Sequence, residues 1–130
     1  MDIYLHYFTL DFLDFTIFVD FFKVIIVEEK IKIFTDGSAK GNPGRGGYGI
    51  VMKYKGTVKE FSQGFQLTTN NRMELMALIV ALEQLKTDKI PVKVFSDSKY
   101  VLDSITKGWV FSWQTKSFKG KKNKDLWLRY

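Results

Sequence analysis

The chain has no cysteine and a single histidine in 130 residues. Without thiols there is no disulfide, no thiol catalysis and no Cys-ligated zinc or iron–sulfur cluster. That absence is compatible with a reducing compartment, and a cytoplasmic location is the expectation. The lone His6 leaves no His-based triad and no His zinc site. Any metal must then be held by carboxylate oxygens, which favours Mg²⁺, with Mn²⁺ as the alternative. There is no low-complexity linker, and 130 residues suffice for one domain with a real core but not for two.

Positive charge is scarce at one end only. Residues 1–29 carry Lys23 against Asp2, Asp11, Asp14, Asp20, Glu28 and Glu29, a net −5, and residues 30–130 carry +11. A basic body of this size suggests a polyanionic partner. The first 27 residues are rich in Phe, Tyr, Ile and Val. They lack the positive charge that precedes the apolar run of a signal peptide. A membrane span needs roughly 20 mostly apolar residues, and Asp11, Asp14 and Asp20 interrupt this stretch, so no membrane is expected. Residues 1–29 are taken as an appended N-terminal extension of unknown role, and 30–130 as the functional domain. Translation from upstream of a true start would produce such a change of composition; finding Met1 intact in native protein would contradict it.

Two stretches echo each other: Ile31-Lys32-Ile33-Phe34-Thr35-Asp36-Gly37-Ser38 and Val92-Lys93-Val94-Phe95-Ser96-Asp97-Ser98. Each reads as a strand in which Lys, Phe and Asp share one parity, so each Asp leaves the same face as the Phe before it. Side by side, about 4.8 Å apart, the strands would bring Asp36 and Asp97 together at their ends. Alone, either Asp could simply cap the turn that follows; two matching copies favour a metal site.

Between them lies a glycine-rich stretch from Gly37 to Gly49, in which Gly44, Gly46 and Gly49 fit G-x-G-x-x-G. A dinucleotide site needs a helix directly after that pattern, but residues 48–54 read as a strand. The kinase motifs that would have to follow are absent. The glycines permit close approach of backbone to a bulky ligand such as a nucleic-acid backbone. A turn at Lys55-Gly56 and a returning strand over 57–66 complete a three-strand antiparallel meander. Thr68-Thr69-Asn70-Asn71 open an expected helix through Lys86, with Met76, Ile79, Val80 and Leu82 on or near its buried side. Glu74 in its first turn can close a capping box with Asn71 or reach Asp36 and Asp97 as a third ligand; spacing leaves both open. A short helix is expected over 99–106. Beyond it, residues 109–124 interleave Trp109, Phe111, Trp113 and Phe118 with Lys116, Lys119, Lys121, Lys122 and Lys124, a pattern suited to phosphates and sugar or base faces. Residues 125–130 read as the start of a further helix.

Taken together, residues 31 to the end resemble type 1 ribonuclease H, the enzymes that cut the RNA strand of an RNA–DNA hybrid. The motifs are Phe34-Thr35-Asp36-Gly37-Ser38, Gly41-Asn42-Pro43-Gly44, Gly46-Gly47-Tyr48-Gly49, Thr69-Asn70-Asn71-Arg72-Met73-Glu74-Leu75-Met76, Ser96-Asp97-Ser98 with Tyr100-Val101, and Asp125-Leu126-Trp127. The resemblance implies an α/β fold, three antiparallel strands followed by a parallel one, with flanking helices. It identifies Asp36, Glu74 and Asp97 as catalytic, metal-binding carboxylates. It implies hybrid contacts by Asn42, Asn70 and Asn71 in the minor groove. Lys99, which with Asp103 stands where the family often has glutamine, is counted with them. Residues 109–124 resemble the family's basic protrusion in shortened form, which adds Trp109, Lys116, Lys119, Lys121 and Lys122. The implied reaction is two-metal hydrolysis giving 5′-phosphate and 3′-hydroxyl ends, by a monomer with no obligate protein partner.

The family pattern continues past residue 130 with the rest of the last helix, a fifth strand and a final helix, which bring a loop histidine and a fourth catalytic Asp. The alternative expectation is therefore a catalytically impaired nucleic-acid-binding fragment. The chain is also expected to be poorly active and prone to aggregate, because the missing strand would bare a central strand edge.

Overall fold

The computed structural model describes residues 2–5 and 29–130. The strands are β1 (Asp2–Leu5), β2 (Ile31–Gly41), β3 (Gly44–Tyr54), β4 (Thr57–Thr68) and β5 (Val92–Phe95). The helices are α1 (Asn70–Glu83), α2 (Lys99–Thr106), α3 (Trp109–Thr115) and α4 (Lys124–Arg129). They build one sheet in the order β1-β5-β2-β3-β4. The strands β2, β3 and β4 form the expected antiparallel meander, and β5 runs parallel to β2.

The alternation of β2 decides which face of the sheet is covered. Ile33 and Thr35 are buried against the helical layer, whereas Lys32, Phe34 and Asp36 point to the other face and are exposed. The same parity runs across the sheet, because Phe34 pairs with Val51 on one side and Phe95 on the other. The core lies between the sheet and α1 and contains Ile33, Ile50, Met73, Leu75, Leu78, Ile79, Val92 and Val94. Helix α1 is buried more completely than its expected stripe, because it touches the sheet on one side and α2 and α4 on the other. Leu75, Ala77, Leu78, Ile79 and Ala81 are buried, and Met76, Val80 and Leu82 pack partly against the same core.

The structure corrects three expectations and closes one choice that spacing left open. The first strand does not end at Asp36: β2 continues to Gly41, and β3 begins at Gly44, so the glycine-rich stretch is a hairpin. Its glycines bring the chain's own strands together; a Cβ on Gly46 would lie 2.4 Å from the Ser38 carbonyl oxygen and 2.8 Å from Thr68 Cγ2. Helix α1 stops at Glu83, short of Lys86. The capping box, one of the two roles open to Glu74 by spacing, is not formed, because Thr69 is the N-cap and its Oγ1 accepts from the Arg72 amide at 3.3 Å. Finally, the edge of β5 expected to be bare is lined by β1, antiparallel in the register Asp2↔Phe95 to Leu5↔Val92. A segment read only as an appendage thus supplies a strand, and an unpaired backbone edge needs such a partner whatever its sequence.

The last helix is tied down by two forked ion pairs. Asp125 accepts from both terminal nitrogens of Arg72, at 2.9 Å from Nη1, and Glu83 accepts from Arg129 Nε and Nη2, both at 2.6 Å. Trp127 is buried and donates its indole N–H to the Tyr100 hydroxyl at 2.9 Å. Among the described residues, no helix is long and apolar enough to cross a membrane.

Candidate metal centre

Three elements converge where β2 and β5 part. Asp36 lies two residues past Phe34 on β2, and Asp97 two residues past Phe95, with which Phe34 is in register. The two phenyl rings stack with centroids 4.7 Å apart and planes 7° from parallel, which fixes the spacing of the strands just before the carboxylates. Beyond β5 the chain leaves the sheet through Ser96-Asp97-Ser98. There the Ser98 amide donates to Ser96 Oγ at 3.2 Å, and Ser98 Oγ accepts from the Val101 amide at 3.3 Å as the cap of α2. The two serines hold the turn that carries Asp97.

Glu74 arrives from the helical layer on the first turn of α1. Its approach depends on Gly37, where a Cβ would lie 2.5 Å from the Glu74 amide nitrogen and 2.5 Å from the Met73 carbonyl carbon. The Gly37 amide lies close enough to the Glu74 carboxylate to favour its charged form slightly. Sequence reasoning missed this positioning role of Gly37 and the capping role of Thr69. The signals were there: a glycine directly after the first Asp, and a threonine two residues ahead of Asn71.

Asp36, Glu74 and Asp97 can each offer a carboxylate oxygen such that all three lie within 4.8 Å of one another. Asp36 and Asp97 are exposed, while Glu74 is only 5% exposed. Burial, and then the negative charges of Asp97 and Asp36, push the Glu74 carboxyl up to about 7, against a partial offset from the Gly37 amide. At this spacing two like charges repel on the order of 3 kcal/mol at an effective dielectric of about 20. Glu74 Oε2 is buried without a hydrogen-bond partner among the described residues, and such an atom is costly unless something satisfies it. A hard divalent cation coordinated by all three would relieve both penalties. The donor set is all oxygen, partly exposed, and open to water and a phosphate, as a Mg²⁺ site requires. His6 lies outside the described residues.

The expected substrate contacts fall in two groups. Asn42 is exposed in the turn between β2 and β3, and Asn70 and Asn71 are exposed at the start of α1. The pairing of Gly44 with Thr68 joins that turn to the start of α1. Lys99 is exposed as the first residue of α2. The second group lies on α3 and the turns after it, where Trp109, Lys116, Lys119, Lys121 and Lys122 are all exposed. Lys107 Nζ stands 5.1 Å over the Trp109 ring and Lys121 Nζ 5.0 Å over Trp113. Trp113 also meets Trp127 edge-on at 5.8 Å, and Phe118 is buried, so these two aromatics anchor the protrusion to the body. Phe111 is 61% exposed and belongs with Trp109 as a surface aromatic; the interleaved aromatic–lysine pattern was its signal.

The family model for RNase H matches residues 28–130. A protein named Ribonuclease H from Rippkaea orientalis is 52% identical over 104 residues, covering 76% of this chain and 63% of that protein. A Ribonuclease H from Shewanella woodyi is 53% identical over 110 residues, covering 79% and 66%. Among solved structures, LC11-RNase H1, isolated from compost by a metagenomic approach, in complex with an RNA/DNA hybrid aligns with a TM-score of 0.52 and 40% identity, covering 60% of this chain and 62% of that one. The chain spans less than two-thirds of the length of these relatives.

Proposed function

This chain belongs to the ribonuclease H family, and from that membership together with its carboxylate cluster we propose that it hydrolyses the RNA strand of RNA–DNA hybrids. The observation that carries the reading is the meeting of Asp36, Glu74 and Asp97, with one Glu74 oxygen buried and unpartnered. These three residues hold Mg²⁺, or Mn²⁺ in its place. When bound, a pair of such ions supplies a hydroxide nucleophile at neutral pH and stabilises the leaving 3′ oxygen. The protein's own part is to fix where the scissile phosphate meets the cations. Glu74 is held by the start of α1, and Asp36 and Asp97 by the stacked ends of β2 and β5. The products carry 5′-phosphate and 3′-hydroxyl ends.

Hybrid selectivity rests on 2′-hydroxyls on one strand beside a deoxyribose backbone on the other, read through shape. Asn42, Asn70 and Asn71 face the minor groove in this proposal. Lys99, Trp109, Lys116, Lys119, Lys121 and Lys122 take the backbone, with lysines on phosphates and the indole on a sugar or base face. Residues 30–130 act as the functional unit, as a cytoplasmic monomer.

The test is an RNA–DNA hybrid labelled on its RNA strand, incubated with Mg²⁺ or with chelator. Cleavage of RNA alone, dependent on Mg²⁺ and leaving ligatable 5′-phosphates, is expected. A gel shift without cleavage would replace this reading with a nucleic-acid-binding chain that does not cut.

A further inference from the structure

Asp103 sits midway along α2, with Lys99 one helical turn before it and Lys107 one turn after it. Spacing lets its carboxylate pair with either lysine. The ion pair is made with Lys107, whose Nζ lies 3.3 Å from Asp103 Oδ2. Among the described residues Lys99 forms none. The Asp103 side chain is only 13% exposed, against 53% for Lys107. An attraction between opposite charges is stronger where little water screens it, so the Lys107 ammonium is held in place.

That ammonium has a second engagement. It stands 5.1 Å over the Trp109 ring, where the negative face of an indole attracts a cation. Between the two residues the chain passes through Gly108 at φ +69°, a conformation that glycine adopts freely. Trp109 also meets Trp113 at 6.4 Å with planes 40° apart, yet 43% of it stays exposed. The indole is thus held from inside the protein while part of it is open to a ligand. A side chain already fixed in one pose loses less freedom on binding. The lysines of this region divide accordingly. Lys99, Lys116, Lys119 and Lys122 have no acid partner among the described residues. The charge of Lys107 is already answered by Asp103, so it has little counterion to release to a phosphate.

We propose that Asp103 and Lys107 are positioning residues, which set the pose of the Trp109 indole for a sugar or base face of the nucleic acid. Asp103 fixes the ammonium, the ammonium fixes the ring, and the ring meets the ligand. This inference rests on the function proposed above and adds to it the residues that prepare Trp109.

One measurement uses the full chain alone. In NMR spectra the indole ring current should move the Lys107 ε-methylene protons upfield of their ordinary position, and Asp103→Asn should move them part of the way back. Ordinary shifts in the unaltered chain would overturn the proposal. The other measurement is a gel shift with RNA–DNA hybrid in chelator, repeated over a range of salt. Lys107→Met should weaken binding about three- to tenfold with an unchanged slope of log affinity against log salt, and Lys107→Arg should restore it. In a Trp109→Leu background, Lys107→Met should weaken binding no further. A slope reduced by about 0.9 would make Lys107 a phosphate contact, and an undiminished loss beside Trp109→Leu would make it independent of the indole. Either result overturns the proposal. A chain that binds no hybrid would end the function proposed above and this inference together, whereas ordinary lysine shifts beside normal hybrid binding would end this inference alone.

Discussion

At the scale of single residues, Glu74 holds the most consequential position. It titrates around 4.5 as an ordinary carboxyl but near 7 in the fold, for want of water and beside two other acids. The folded chain therefore binds this proton more tightly than the unfolded chain does. In the absence of divalent cations the contribution of Glu74 to stability is fully present below about pH 4.5 and is lost as pH rises through about 7. The span is on the order of 3 kcal/mol. Urea unfolding in chelator should follow that direction between pH 5 and 7.5, and Glu74→Gln should flatten it; an equal pH slope in the two proteins would disprove the assignment. Cation binding must displace the same proton, so Mg²⁺ affinity should rise with pH up to about 7 and proton release should appear in calorimetry. Asp36→Asn removes one of the proposed ligands without a change of shape and takes one negative charge from the carboxylate cluster. It should abolish cleavage and leave hybrid binding intact in a gel shift; undiminished turnover would remove Asp36 from the mechanism.

At the scale of elements, the site depends on how closely α1 meets β2. Gly37→Ala places a methyl group 2.5 Å from backbone atoms of Met73 and Glu74, so the start of the helix has to move. The expected loss is about 1–3 kcal/mol of stability, together with weaker Mg²⁺ binding in titration calorimetry. A variant with unchanged cation affinity would show that the approach of α1 is not what places Glu74. The docking of α4 is a separate matter. Arg72 and Asp125 are forked but lie at the surface, with side-chain exposures of 31% and 63%. A double-mutant cycle between them should give a coupling of about 0.5–1 kcal/mol that falls with added salt.

At the scale of the whole molecule, the charge is divided between a basic body and an acidic extension. Neutralising Lys119, Lys121 and Lys122 should weaken hybrid binding and flatten the plot of log affinity against log salt, by about 0.9 for each phosphate that a lysine no longer neutralises. An unchanged slope would make the protrusion a scaffold only. The edge of β5, which would otherwise invite another chain, is partnered by β1 in the same molecule, so the reason given for aggregation does not hold along those four residues.

Strand identity, strand parity and the pairing of Asp36 with Asp97 were legible in the sequence, because alternation and the repeated Lys-x-Phe-x-Asp phrase are local properties. The carboxylates themselves were legible for the same reason. Whether Glu74 caps its helix or joins the two aspartates was not legible from spacing, since residues 71 and 74 fit both; the family motif pointed to the aspartates, and the physical reason is Thr69 taking the cap and Gly37 letting α1 close on β2. The first strand looked finished at Asp36 because glycine breaks local patterns, yet close approach of strands is what the glycines after it permit. The strand at residues 2–5 carried no local signal for its partner, since an edge accepts any backbone that reaches it. Short-range order was written in neighbouring residues; what meets across the sheet was decided only when distant segments competed for the same space.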